Sequence, residues 1–91
     1  MDEFKNHINR AEVKIFNEEY TVTGDENTEY IHMLAGYIDR RMKIIQQRNP
    51  NLSSSKIGVL LALNLADEIN KLQDDYDEIV KDLEDARKKQ P

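Results

Sequence analysis

The chain has 91 residues, 38% of them apolar and 34% charged, with 18 acids against 13 bases for a net charge of −5. That suffices for one small domain, yet with its three glycines the apolar share is only roughly 41%, below the roughly 45–50% of an average globular domain, so the chain reads as one that finishes its core with partners. No apolar run approaches a membrane span, Met1-Asp2-Glu3-Phe4-Lys5 lacks a signal-peptide pattern, and the absence of cysteine excludes disulfides and thiolate chemistry and fits a cytosolic protein, while the acid balance argues against nucleic acid as a partner.

Residues 1–10 are polar and unpatterned and are expected to form a loose arm. Glu12-Val13-Lys14-Ile15-Phe16 then alternates, Asn17-Glu18-Glu19 interrupts, and Tyr20-Thr21-Val22-Thr23 resumes the β-branched alternation, which predicts a short hairpin. Asn17 is the natural residue to take positive φ in its turn. Two strands alone are marginal in water, so the hairpin must lie on a helix or join another sheet.

Gly24-Asp25-Glu26-Asn27-Thr28 ends the strand and offers N-caps, after which Ile31, Leu34, Ile38, Met42 and Ile45 form an amphipathic stripe. The first helix is predicted over about 27–48, stopped by Asn49-Pro50. Ser53, Ser54 and Ser55 offer caps for a second helix of about 36 residues, roughly 54 Å at 1.5 Å per residue. Gly36 and Gly58 are expected to permit close helix packing.

The second helix has two parts. From Ile57 to Ala66 it is apolar nearly all round, which predicts burial on most sides. Beyond Asp67 the pattern narrows to a heptad seam, with Ile69, Tyr76 and Leu83 at a and Leu65, Leu72, Ile79 and Ala86 at d. Ala66 and Val80 at e widen the stripe and point to four strands rather than two.

No catalytic constellation, metal-ligand set or phosphate-cradling loop is found, and no enzyme or cofactor is expected. His7 and His32 lie far apart, and His32 reads as a helix-surface residue. The acids around Tyr76 read as a solvated coiled-coil flank. Arg40, Arg41, Lys43 and Arg48, opposed only by Asp39, admit two readings: cations complementing the helix macrodipole, or a basic face for an acidic protein partner.

Leu34-Ala35-Gly36-Tyr37-Ile38-Asp39-Arg40-Arg41-Met42, Asn49-Pro50-Asn51-Leu52-Ser53 and the stretch from Lys56 to Glu68 resemble, in that order, the first helix, the interhelical turn and the start of the long helix of the ZapA family of bacterial cell-division proteins. Val13-Lys14-Ile15-Phe16-Asn17 through Val22 resembles that family's hairpin, so the likeness spans about 11–85. The resemblance implies an α+β fold: a short N-terminal β-hairpin and helix forming a small head, followed by a long coiled-coil helix. Heads would pair as dimers and stalks join them as an antiparallel tetramer. It also implies a non-enzymatic protein of the cytoplasm and division septum that binds FtsZ and cross-links or aligns its protofilaments through charged head residues.

The resulting division is a flexible arm over 1–10, a head over 11–66 that includes the start of the long helix, and a stalk over 67–91. Leu60 matches a family position associated with self-assembly and joins Ile69, Leu72, Tyr76, Ile79 and Leu83 as candidate assembly residues. A basic residue that some members carry after the hairpin turn is Glu18 here, so the expected FtsZ contacts are Arg40, Arg41, Lys43 and Arg48, with Lys14 on the hairpin edge next. The rival is a small acidic antitoxin or transcription-cofactor dimer masking a basic partner; the regular heptads favour a rigid stalk over its flexible tail. A DNA-binding helix pair fits the net charge poorly.

Overall fold

The computed structural model describes residues 8–89. The expected arm over 1–7, with His7, lies outside the described residues, as do Gln90 and Pro91. Two antiparallel strands, β1 (Asn9–Ile15) and β2 (Glu18–Gly24), are followed by helices α1 (Thr28–Arg48) and α2 (Ser54–Lys88). The α+β class, the hairpin and both helices are as the sequence implied. The chain forms two compact units, one ending at Gly58 and one beginning at Val59.

Strand β1 starts at Asn9, inside the stretch expected to be arm. Hydropathy could not reveal this, because pairing rather than burial recruits the extra residues. Asn9 pairs with Gly24 and Arg10 with Thr23, and the Asn9 side chain donates to the Glu26 carbonyl at 2.7 Å. The strands close through a two-residue loop, Phe16-Asn17, between the paired Ile15 and Glu18. Both loop residues have positive φ, 53° and 69°, as a type I′ turn requires to match the strands' right-handed twist. Asn17 was expected there; Phe16, a bulky residue, was not.

Asn27 caps α1, its side chain accepting from the Tyr30 amide at 2.7 Å. At the other end the Asn49 amide donates to the Ile45 and Gln46 carbonyls, and its side chain donates to Ile45 at 3.1 Å. Pro50 then occupies the second position of a turn closed by Leu52 N–H to the Asn49 carbonyl at 3.1 Å, which ends the helix and redirects the chain. Ser53 begins α2 by accepting from the Lys56 amide at 3.3 Å.

In the first unit Ala11 and Val13 of β1 meet Ile31 and Ala35 of α1, with Ile15 packed alongside. The hairpin therefore lies on a helix, as a two-stranded ribbon must. Strand β2 has no buried residue, and Tyr20 keeps 48% of its surface. No polar or charged residue among those described is buried. A Cβ added at Gly58 would meet nothing within 4 Å, and one at Gly36 only Arg40 Nη1 at 3.5 Å. The expectation that these glycines permit close helix packing does not hold within one chain.

Candidate functional site

The cations picked out by the sequence sit on α1 and β1 and divide by helical geometry. Residues seven apart share a side, so Arg41 and Arg48 lie together; Arg40 and Lys43, three apart, occupy a neighbouring side. Arg40 and Arg41, although adjacent, point about 100° apart. Lys14 is exposed on β1 and faces Glu19 across the ladder.

Each α1 cation has its own setting. Arg41 donates to the Tyr37 hydroxyl one turn earlier, and its guanidinium lies 5.4 Å from that ring's centroid, a cation–π contact. Lys43 pairs with Asp39 at 2.9 Å. Arg40 is exposed, and Arg48 supplies a cation to the last turn, where it complements the helix dipole.

Asp39 is the acid that organises this region. One carboxylate oxygen receives Lys43 and the other accepts the Phe16 amide from the hairpin turn at 2.7 Å. The Lys43 hydrogen bond first, and the Phe16 amide next, hold its carboxyl below the usual aspartate range. In the sequence Asp39 stands only as the counter-charge to the basic cluster. Its contact with a backbone group 23 positions earlier leaves no local signal.

The first unit also carries an apolar groove of about 300 Å³, open to solvent and lined by Val13, Ile15, Val22, Ile31, Leu34 and Ile38. Leu34 keeps 42% of its surface and Val22 36%. His32, elsewhere on α1, is exposed.

Every residue of the heptad seam singled out as an assembly candidate is bare in the second unit: Ile69, Leu72, Tyr76, Ile79 and Leu83 are each between 59% and 67% exposed. Surface pairs such as Asp67–Lys71 at 2.9 Å and Gln73–Asp77 at 3.0 Å accompany it. Near the start of α2, Ile57 has no exposed surface and Leu61 4%, whereas Leu60 retains 36%, Val59 61% and Leu63 62%. The apolar belt expected to be buried on most sides is buried on one side within a single chain.

Comparison with known proteins points one way. A family model described as cell division protein ZapA matches residues 11–90. A cell division protein ZapA from Geobacillus sp. (strain WCH70) is 35% identical over 74 residues, covering 81% of this chain and 85% of the relative. Its counterpart from Bacillus mycoides (strain KBAB4) is 33% identical over 79 residues, covering 87% and 89%. Among solved structures, a ZapA mutant dimer from Geobacillus stearothermophilus superposes with a TM-score of 0.66 at 30% identity, covering 84% of this chain and 88% of that one.

Proposed function

The chain belongs to the ZapA family of cell-division proteins, and from that premise we propose that it is a cross-linker of FtsZ protofilaments, acting in the cytoplasm at the division septum by binding alone and without catalysis or cofactor. The hairpin and α1 carry the filament-binding surface, and the seam of α2 joins copies of the chain. Several copies in one assembly give several filament-binding surfaces. Multivalency then raises the effective affinity of a weak site and bundles filaments without new contacts.

The observation that carries this reading is the unbroken bare row on α2. Five large apolar side chains in one heptad register, each more than half exposed, form a contiguous apolar strip that isolated soluble chains rarely leave uncovered. A second copy covers it at matched spacing. A solved structure of a ZapA mutant from Geobacillus stearothermophilus is described as a dimer, which fits self-association; the wider stripe, with Val80 at e, favours a tetramer built from dimers. The groove between hairpin and α1 is a second apolar area for pairing of copies.

For the filament, the favoured contacts are Arg40, Arg41, Lys43 and Arg48, a basic segment on an acidic protein and so suited to an acidic surface. The test is co-sedimentation with assembled FtsZ, with mass followed by light scattering. Arg40→Glu with Arg41→Glu should abolish pelleting while leaving helix content and mass intact, and the parent's binding should weaken as salt shortens the Debye length below about 8 Å. A chain truncated after Asn70 should still bind but no longer bundle. If the double reversal pellets as well as the parent, the contact lies elsewhere, with Lys14 as the next candidate.

A further inference from the structure

Phe16 is held in a conformation its side chain disfavours. A non-glycine residue with φ of 53° is uncommon, and for a bulky side chain it is an outlier that persists only where its surroundings impose it. Turns of this type are ordinarily built from Asn and Gly. Being in the loop, the Phe16 amide lies outside the strand ladder, and its partner is the Asp39 carboxylate of α1 at 2.7 Å. The same carboxylate holds Lys43. One acid thus ties the hairpin tip, where Glu18 is exposed, to the helical segment that displays Arg40 and Lys43.

We propose that Asp39 is a positioning residue for filament binding: by clamping the Phe16 amide it fixes the anionic hairpin tip beside the Arg40–Lys43 segment, so that the two present one surface of mixed charge. This rests on the filament-binding reading above and extends it by adding the hairpin tip to the recognition surface. Ladder partners share a face, so Glu18, paired with Ile15, lies on the α1 side of the hairpin while Glu19, paired with Lys14, lies on the other. The partner that fits such a surface pairs an acidic patch, set against Arg40 and Lys43, with a donor-rich or basic spot set against Glu18. A loosened tip would keep every charge and lose only their registration, which is how misplaced groups forfeit binding.

Hydrogen exchange by NMR, read beside co-sedimentation with assembled FtsZ, tests this. In the parent the Phe16 amide should exchange at least about tenfold more slowly than that of Asn17; equal rates would show no clamp in solution and overturn the proposal. Asp39→Asn keeps an acceptor for the amide and should retain both protection and pelleting. Asp39→Ala removes the acceptor and should weaken pelleting about tenfold, the worth of one hydrogen bond to a charged group, with oligomer mass unchanged. Asp39→Glu, which keeps the charge but displaces the acceptor by a methylene, covers the case in which the alanine variant fails to fold: protection and pelleting should fall together. Loss of pelleting in Asp39→Asn with the amide still protected would assign the effect to charge and overturn the clamp. Undiminished pelleting of Asp39→Ala or of an unprotected Asp39→Glu would overturn it as well. A parent that does not pellet at all overturns the filament reading and the positioning role together, whereas a parent that pellets beside an unaffected alanine variant overturns the positioning role alone.

Discussion

Ile57 and Leu72 are both apolar residues of α2, yet the first has no exposed surface and the second keeps 67% of its own. The contrast holds for the regions around them. Up to Gly58 the chain places Ala11, Val13, Ile31 and Ala35 in a core of its own, whereas the seam from Ile69 to Leu83 is bare. Hydropathy alone does not separate these regions. In the first the apolar residues secure one chain's fold; in the second they are left bare, and the assembly proposed above would bury them between chains. On that proposal, stability of the first is a property of the molecule, and that of the second a property of its concentration.

The largest expected effect breaks the second region only. Ile79→Asp puts an unpaired charge into the seam, where desolvation opposes assembly. The parent should be a tetramer at high concentration and a dimer on dilution, and the variant should stay dimeric by light scattering. A monomeric parent would defeat the comparison outright. Next comes the direct contrast within α2. Ile57→Ala should cost about 2–5 kcal/mol in urea unfolding at any protein concentration, as expected of an enclosed core residue. Leu72→Ala should cost most where the parent is fully assembled and little on dilution. A concentration-independent loss at Leu72 would mean that its burial is not intermolecular.

Smaller effects sharpen the first region. Asn27→Ala removes the α1 cap and should destabilise that unit by about 1 kcal/mol without changing assembly mass. The least is the titration of Asp39. Its carboxyl is held low by Lys43 and by the Phe16 amide, so the folded value lies beneath the unfolded one. Its contribution is fully present above the usual aspartate range and is lost as pH falls through the lower folded value. The Phe16 amide proton should report that step by NMR; a step at the ordinary aspartate value would contradict the clamp.

Much of this was legible in the residues. Alternation at Val13 and Ile15, the turn at Asn17, the stop at Asn49-Pro50 and the heptads after Asp67 are local patterns, and each marks its element within a few positions. Three features were not. Asn9 and Arg10 join β1 by pairing with Gly24 and Thr23, which hydropathy does not register. Phe16 takes positive φ because the strand register leaves room for only two loop residues, a constraint set by the partner strand rather than by Phe16 itself. Asp39 looked like a counter-ion because its second partner is a backbone amide distant in sequence. The basic cluster, contiguous as text, divides on the helix because adjacent residues diverge by about 100°.

The order of the elements has a consequence for biosynthesis. Every member of the hairpin–helix core, Ile15 included, precedes Gly36, and its helix ends at Arg48. Domains generally fold as units during synthesis, N-terminal first. This core can therefore close while the seam residues of α2 are still inside the ribosome. The seam, which the proposed assembly would bury between chains, leaves the ribosome after a unit that is already folded. Chain order thus keeps the proposed assembly surface away from the core while the core closes.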